Sequence, residues 1–374
     1  MPNAYLLEGL RTPVGKANGY YRDIIPEHLF AALLRELRHR HPDWPVDEVL
    51  AGVALGTGGN MARYALLEAG FPEELPGTTL DMQCGAGLRT LIAAEAQLKS
   101  GLSTAVLAGG MESNSLAPKR QYHPRDFRFV DEATYFTKAS FVPSSAGPDE
   151  LTEAAARAAG QFGVSKADMM AWTIRSHERA GSSREIIETI IHPVNGKTAD
   201  QAVRPGLSLE QLAATQTSSL IDHTNTAHLH DGAGVYWLGN EAFCEQTGIQ
   251  PSFRIVASAV AGGPPGLAPL GVIWATEKLL RQTGISVSTI DLFEINESFA
   301  VKPLAFLKHW GISPEKVNIF GGNLAYGHPF GASGLLNTLH LTLALKHTGS
   351  RLGLVAAGVA GGLGAALLIE QLKP

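Results

Sequence analysis

A lone cysteine, Cys84, stands in the stretch Leu80 to Gly101, which reads LDMQCGAGLRTLIAAEAQLKSG. Leu88, Leu91, Ile92 and Leu98 recur at helical spacing, which predicts a helix with one buried face and Cys84 at its mouth. Backbone N–H groups at a helix start lack partners, and the dipole is positive there. Both favour an anion, and hence a nucleophilic thiolate. Gly85 and Gly87 leave no bulk around the sulfur, so a flat thioester carbonyl has room to approach. The residues alone leave a second reading open, since a free cysteine is commonly a small buried hydrophobe.

Three other glycine-bounded stretches are candidates for chemistry. They are Asn296-Glu297-Ser298-Phe299-Ala300 after an expected strand, Gly327-His328-Pro329 opening an expected helix, and the turn Gly358 to Gly364 near the end. That last turn lacks the βαβ unit and acidic residue that dinucleotide binding requires. His223, His228, His230 and Asp231 form a cluster in which His228 and His230 share a face, as a metal site or a base would need. Structural or surface histidines are the commoner outcome, and no thiolate accompanies these. Glu112 and Glu297 adjoin motif residues as possible bases, against the alternative that they are hydrogen-bonded in place. Cys244, in Asn240-Glu241-Ala242-Phe243-Cys244, reads as core.

The elements that must position these residues alternate between strand and helix. Strands are expected at Ala4 to Glu8, Val49 to Leu55 and Thr104 to Ala108, with helices at Glu27 to Arg40, Asn60 to Ala69 and the cysteine stretch. From Ser115 to about Gly147 a polar, aromatic and basic segment replaces this rhythm. Helices follow at Leu151 to Phe162 and Lys166 to Ala180, and the whole insertion is expected to cover the site. The pattern then resumes with strands at Arg254 to Ala257, Ile290 to Ile295, Asn318 to Phe320, Leu352 to Ala357 and Ala365 to Glu370. Helices are expected at Gly271 to Gln282 and Gly334 to Lys346. Both halves end in an apolar strand running into a glycine-rich turn, which predicts a duplicated α/β fold.

With 374 residues, 45% of them hydrophobic, the chain can bury more than one ordinary core. Two cysteines are too few for a disulfide scaffold, no basic-then-apolar leader opens the chain, and no apolar run reaches bilayer length. A soluble cytoplasmic protein is the expectation. A net charge of −5 argues against general nucleic-acid binding, while leaving room for a local basic patch.

Taken together, the Cys84 turn, Asn296-Glu297-Ser298-Phe299-Ala300, Gly327-His328-Pro329 and the closing glycine turn resemble the thiolase family. So do Arg11-Thr12-Pro13-Val14-Gly15, Asn60-Met61-Ala62-Arg63, Gly109-Gly110-Met111-Glu112-Ser113, Asp231-Gly232-Ala233 and Gly321-Gly322-Asn323 with Gly331-Ala332-Ser333-Gly334. The motifs run in family order along almost the whole chain, and only the covering loop matches poorly. The resemblance implies a five-layered α-β-α-β-α fold and a homodimer or dimer of dimers. It divides the chain into an N-terminal half, 1–248, with the insertion at about 115–220, and a C-terminal half, 249–374.

It further implies an acetyl-CoA C-acyltransferase-like enzyme that needs no cofactor or metal, with coenzyme A as substrate or product. Cys84 would take the acyl group, His328 would accept the thiol proton or pair with the thiolate, and Asn296 would hold a water that polarises the second thioester. The N–H groups of Cys84 and Ala360 would form an oxyanion hole. Lys119, Arg120, Ser258 and Phe299 would contact the coenzyme A ester, with Arg125, Arg128 and Lys138 as further loop cations. Scattered surface charge is the alternative for the cations.

One departure matters most: the family's second catalytic cysteine falls on Gly358, which has no side chain to move a proton. Asp81 and Ala86 replace the usual Asn and Ser, and Ala268-Pro269-Leu270-Gly271-Val272 replaces a Met-Gly-x-Gly-Pro run, so a reshaped pocket is expected. Two alternatives follow. One is a diverged condensing enzyme or thioesterase with space at Gly358 for water or another acceptor, and the other is a non-catalytic homologue that binds coenzyme A esters or serves as a scaffold.

Overall fold

The computed structural model describes residues 2–137, 139–143 and 150–372, so Lys138 lies outside the described residues. Ten strands form among the described residues: β1 (Ala4–Arg11), β2 (Gly15–Lys16), β3 (Glu48–Gly52), β4 (Gly77–Leu80), β5 (Ala105–Glu112), β6 (His230–Gly239), β7 (Phe253–Gly262), β8 (Leu292–Ile295), β9 (Leu352–Val359) and β10 (Leu363–Gln371). Their order is β4-β3-β5-β6-β1-β7-β10-β9-β8, with β2 beside β6. In each half the outer strands pair parallel and the inner ones antiparallel. The halves meet where Ala4–Leu6 of β1 pairs with Phe253–Ile255 of β7.

Two helices lie between the half-sheets and pack on each other, Ala86–Ser100 from the first half and Phe330–Thr348 from the second. The second is buried along nearly its whole length from Gly331 to Leu345, as a central layer requires. Helices Pro26–Arg40 and Met61–Glu68 cover the outer face of the first half-sheet. Gly271–Thr283 covers that of the second, with Val301–Trp310 packed beside it. Three separate apolar clusters fill the two outer interfaces and the central one. This is the five-layered α-β-α-β-α arrangement.

Two local differences from the sequence reading have clear causes. Asn318-Ile319-Phe320, expected as a strand, is a turn: Asn318 sits at φ 50°, and its side chain accepts from Ile295 N at 2.7 Å and donates to Ile295 O at 2.9 Å. The amide thus supplies the ladder bonds that a neighbouring strand's backbone would have made. Conversely, β4 was not anticipated, because Gly-Thr-Thr-Leu is too short and polar to signal a strand.

The two central helices start in contact because glycine lines their approach. A side chain on Gly87 would meet Gly331 O at 2.7 Å, one on Gly331 would meet both Gly52 O and Met111 O at 2.7 Å, and one on Gly334 would meet Leu88 N at 2.7 Å. Glu112, at the end of β5, ties the same corner together by accepting from Ala54 N (3.0 Å), Leu55 N (3.2 Å) and Gly331 N (3.0 Å). It is therefore hydrogen-bonded in place, and burial pushes its carboxyl up to about 7.

Gly331→Ala is expected to lower stability by about 1–3 kcal/mol in urea denaturation, because backbone rather than flexible side chain must yield. Glu112 holds a proton in the folded chain between the unfolded carboxyl range and about 7. Its contribution to stability is therefore complete at acidic pH and is lost as pH rises through that window. Glu112→Gln is expected to flatten this fall, by up to about 1.4 kcal/mol per pH unit, in a denaturation series from pH 4.5 to 8.

Candidate active site

Cys84 lies half-buried in a one-turn helix, Gln83–Gly85, that leads directly into Ala86–Ser100. The residue before it, Gln83, is held at φ 47°, a left-handed conformation unfavourable for a residue with a side chain. Asp81 fixes it, accepting from Gln83 N at 2.7 Å and Gln83 Nε2 at 3.1 Å. Gly85 is pressed against the other half: a side chain there would meet Val359 Cγ2 at 2.6 Å. The cysteine turn and the final glycine turn are therefore in direct contact.

One narrow pocket opens at this contact. It is lined by Cys84 from the first half, Leu151 from the covering insertion, and Phe299, Lys302, Gly358 and Ala360 from the second half, with Ala268 and Pro269. The space expected beside Gly358 is taken. A side chain there would lie 2.9 Å from Pro269 O and 3.2 Å from Ala268 O. The Ala268-Pro269 run thus fills with backbone the volume that a residue at 358 would claim. Asn296, fully buried, clamps this position, accepting from Gly358 N at 3.0 Å and donating to Gly358 O at 3.4 Å.

Lys302, which the sequence reading passed over, is the cation of the pocket. It sits in the first turn of Val301–Trp310 with 3% of its surface exposed. Its Nζ donates to Gly358 O at 2.6 Å and to Asn296 Oδ1 at 3.4 Å. Burial pushes the ammonium down to about 8, while the negative charge of Cys84 pulls the other way. A signal was present in Phe-Ala-Val-Lys-Pro-Leu-Ala-Phe-Leu: a single cation in an apolar run, at the helix end where the dipole disfavours it.

His328 is buried just before Phe330–Thr348, the helix that packs on the cysteine turn. Its Nδ1 lies 2.7 Å from Ser333 Oγ, which in turn donates to Pro329 O at 3.0 Å. A hydroxyl has one proton, so satisfying both contacts puts a hydrogen on Nδ1 and leaves a lone pair on Nε2. Nε2 has no partner among the described residues. Burial, then the Lys302 charge and His230, push this imidazole down to about 3, so it is neutral at pH 7.

Other candidates fall away from the pocket. Glu297 is held by Trp172 Nε1 and Ser176 Oγ (both 2.8 Å), Asn318 Nδ2 (2.7 Å) and Leu324 N (3.2 Å), which anchors the insertion to the motif loop. Arg120 donates to Leu55 O and Gly56 O, Arg128 pairs with Asp126, and Lys119 is exposed. Ser258 is half-buried on β7 opposite Leu367, outside the pocket lining. His228 and His230 share a face of a separate cavity of about 430 Å³ with Lys16, His177 and Arg204. Asp231 instead bonds Ser115, and His223 is exposed. Among the described residues no His, Cys, Asp or Glu group is arranged to hold a metal ion, and no helix is long and apolar enough to cross a membrane. Cys244 is half-buried beside the Trp44–Phe243 cluster, where burial pushes its thiol up to about 11.

Comparison with known proteins identifies the family. Residues 4–242 fit the profile of the thiolase N-terminal domain, and residues 249–371 that of the thiolase C-terminal domain. The chain is 32% identical over 400 residues to a beta-ketoadipyl-CoA thiolase of Pseudomonas putida, covering 100% of both chains. It is 31% identical over 409 residues to the 3-oxoadipyl-CoA/3-oxo-5,6-dehydrosuberyl-CoA thiolase of Escherichia coli K12, again covering 100% of both. The crystal structure of the Bacillus anthracis acetyl-CoA acetyltransferase superposes with a TM-score of 0.91 at 29% identity, over 100% of this chain and 99% of that one. The chain belongs to the thiolase family.

Proposed function

We propose that the protein is an acyltransferase that moves acyl groups between coenzyme A thioesters through an acyl-Cys84 intermediate. The observation that carries this reading is the shared pocket: a reachable cysteine at a helix mouth, closed on its far side by Phe299 and Ala360 of the other half. Cys84 attacks the thioester carbonyl. The backbone N–H groups of Cys84 and Ala360 receive the developing oxyanion, each such donor being worth about 10² to 10³ in rate. His328 acts as a neutral imidazole whose free Nε2 accepts a thiol proton. Asn296 serves through the backbone it clamps, holding Gly358 and the glycine turn in register with the nucleophile.

The names of the relatives, thiolases of 3-oxoacyl-CoA esters and an acetyl-CoA acetyltransferase, support a 3-ketoacyl-CoA as substrate and acetyl-CoA as a product, or the reverse condensation. We extend the reading to a homodimer, for which the edge strand β4, paired only with β3, offers an open rim.

Incubation with acetyl-CoA followed by intact-mass measurement is expected to add one acetyl group to the wild type and none to Cys84→Ala. An unmodified wild type, or an adduct that survives in Cys84→Ala, would overturn the reading, and release of free acetate at the rate of acylation would turn it to hydrolysis. Ser333→Ala removes the hydroxyl that sets the His328 tautomer. It is expected to slow acylation about tenfold, equal to roughly 1.4 kcal/mol of barrier, with little change in the urea midpoint.

A further inference from the structure

Proton transfer in the second half of the reaction has no obvious agent at position 358, where the chain carries glycine and the neighbouring volume is filled by the Pro269 carbonyl. The pocket nonetheless contains one buried titratable group that the acyl-transfer scheme does not use. Lys302 faces the same space as Cys84 and Gly358, and its two acceptors, Gly358 O and Asn296 Oδ1, take two of the ammonium's three protons. A fully buried amine is normally paired with a carboxylate or absent. Here the charge acting on it is that of Cys84, and no ion pair among the described residues includes it.

We infer that Lys302 is the acid–base catalytic residue that takes over, from the Val301–Trp310 helix, the proton transfers a side chain at position 358 cannot perform. This inference rests on the acyl-Cys84 reading. In the cleavage direction, the Cys84 thiolate adds to C3 of a 3-ketoacyl-CoA and the C2–C3 bond breaks. The bonding pair passes to C2, and the Lys302 ammonium gives C2 its proton, releasing acetyl-CoA and leaving a neutral amine. When coenzyme A enters, that amine takes the proton of its thiol and becomes ammonium again. The new thiolate attacks the acyl carbonyl, the bond to Cys84 Sγ breaks, and Cys84 departs as the thiolate with which the cycle began. In condensation the same amine removes the α-proton of acetyl-CoA.

The surroundings suit that duty. Burial brings the ammonium down to about 8, where both of its forms are accessible near neutral pH, and the helix start disfavours the charged form further. The titratable groups that act with it are Cys84, from the turn before Ala86, and His328, from the start of Phe330–Thr348. His328 is held neutral in part by the Lys302 charge. The amine and the imidazole therefore favour opposite protonation states at pH 7, which separates the acid of one step from the base of the other.

The test uses the whole enzyme with two readouts: the acetyl adduct on Cys84 by intact mass, and turnover by acetoacetyl-CoA thiolysis together with deuterium exchange into the methyl group of acetyl-CoA. Lys302→Gln is expected to lose thiolysis and exchange by about 10² or more, and the pH-profile limb near 8 should disappear. Because acylation by acetyl-CoA reverses the coenzyme A step, it is expected to form the adduct more slowly but still on Cys84 at long incubation. Lys302→Met, close in length and apolar, carries the same comparison if Lys302→Gln does not fold. The inference is overturned if either variant thiolyses within threefold of the wild type, as roughly 10² is the least that loss of a general base costs. It is also overturned if wild type acylates Cys84 but neither exchanges nor thiolyses. A wild type that never forms the adduct defeats the acyl-Cys84 reading itself.

Discussion

The close approach of the two central helices is the constraint on which the site depends. Backbone carbonyls of Gly331, Gly52 and Met111 lie where side chains of Gly87 and Gly331 would have to go, so the two helix starts meet with nothing between them. This contact brings the cysteine turn of one half beside the histidine and glycine turns of the other. Glu112 reinforces it by gathering three N–H groups at the same corner. The apolar layers on either side make the fold stable, while this contact holds the turns to the sub-ångström precision that the proposed chemistry would need.

Several departures from the family's pattern belong to one local rearrangement. The carbonyls of Ala268 and Pro269 lie against the backbone of Gly358, so a side chain at that position would need them to shift. Asn296 and Lys302 then bind that same backbone through its N–H and C=O. The surroundings thus favour glycine at 358. The acid–base group proposed above would thus reach the pocket from a neighbouring helix rather than from the turn.

Most of this architecture is legible in the residues. The helical spacing after Cys84, the Leu151–Phe162 helix and the strands that end in glycine turns all follow from periodicity, because each buries one defined face. The motifs around Cys84, Asn296 and His328 could be picked out in the chain, with their roles resting on the family resemblance. Two things could not. The Asn318 turn hides behind a β-like run because a side-chain amide replaces the ladder. Lys302 escapes notice because one lysine in a helix is ordinarily a solvated surface charge. Only the packing of Val301–Trp310 against its neighbours shows that this one has no water to meet.

The glycine contact also limits how such a protein can diverge. A side chain at Gly87, Gly331 or Gly334 would meet backbone across the helix contact, so these positions tolerate little enlargement without a shift of the halves. New specificity or a new proton donor has to be imported from segments that merely border the cavity, such as the Ala268-Pro269 run or the Val301–Trp310 helix. The packed glycines of the helix contact hold still while the pocket lining, Gly358 included, supplies the novelty.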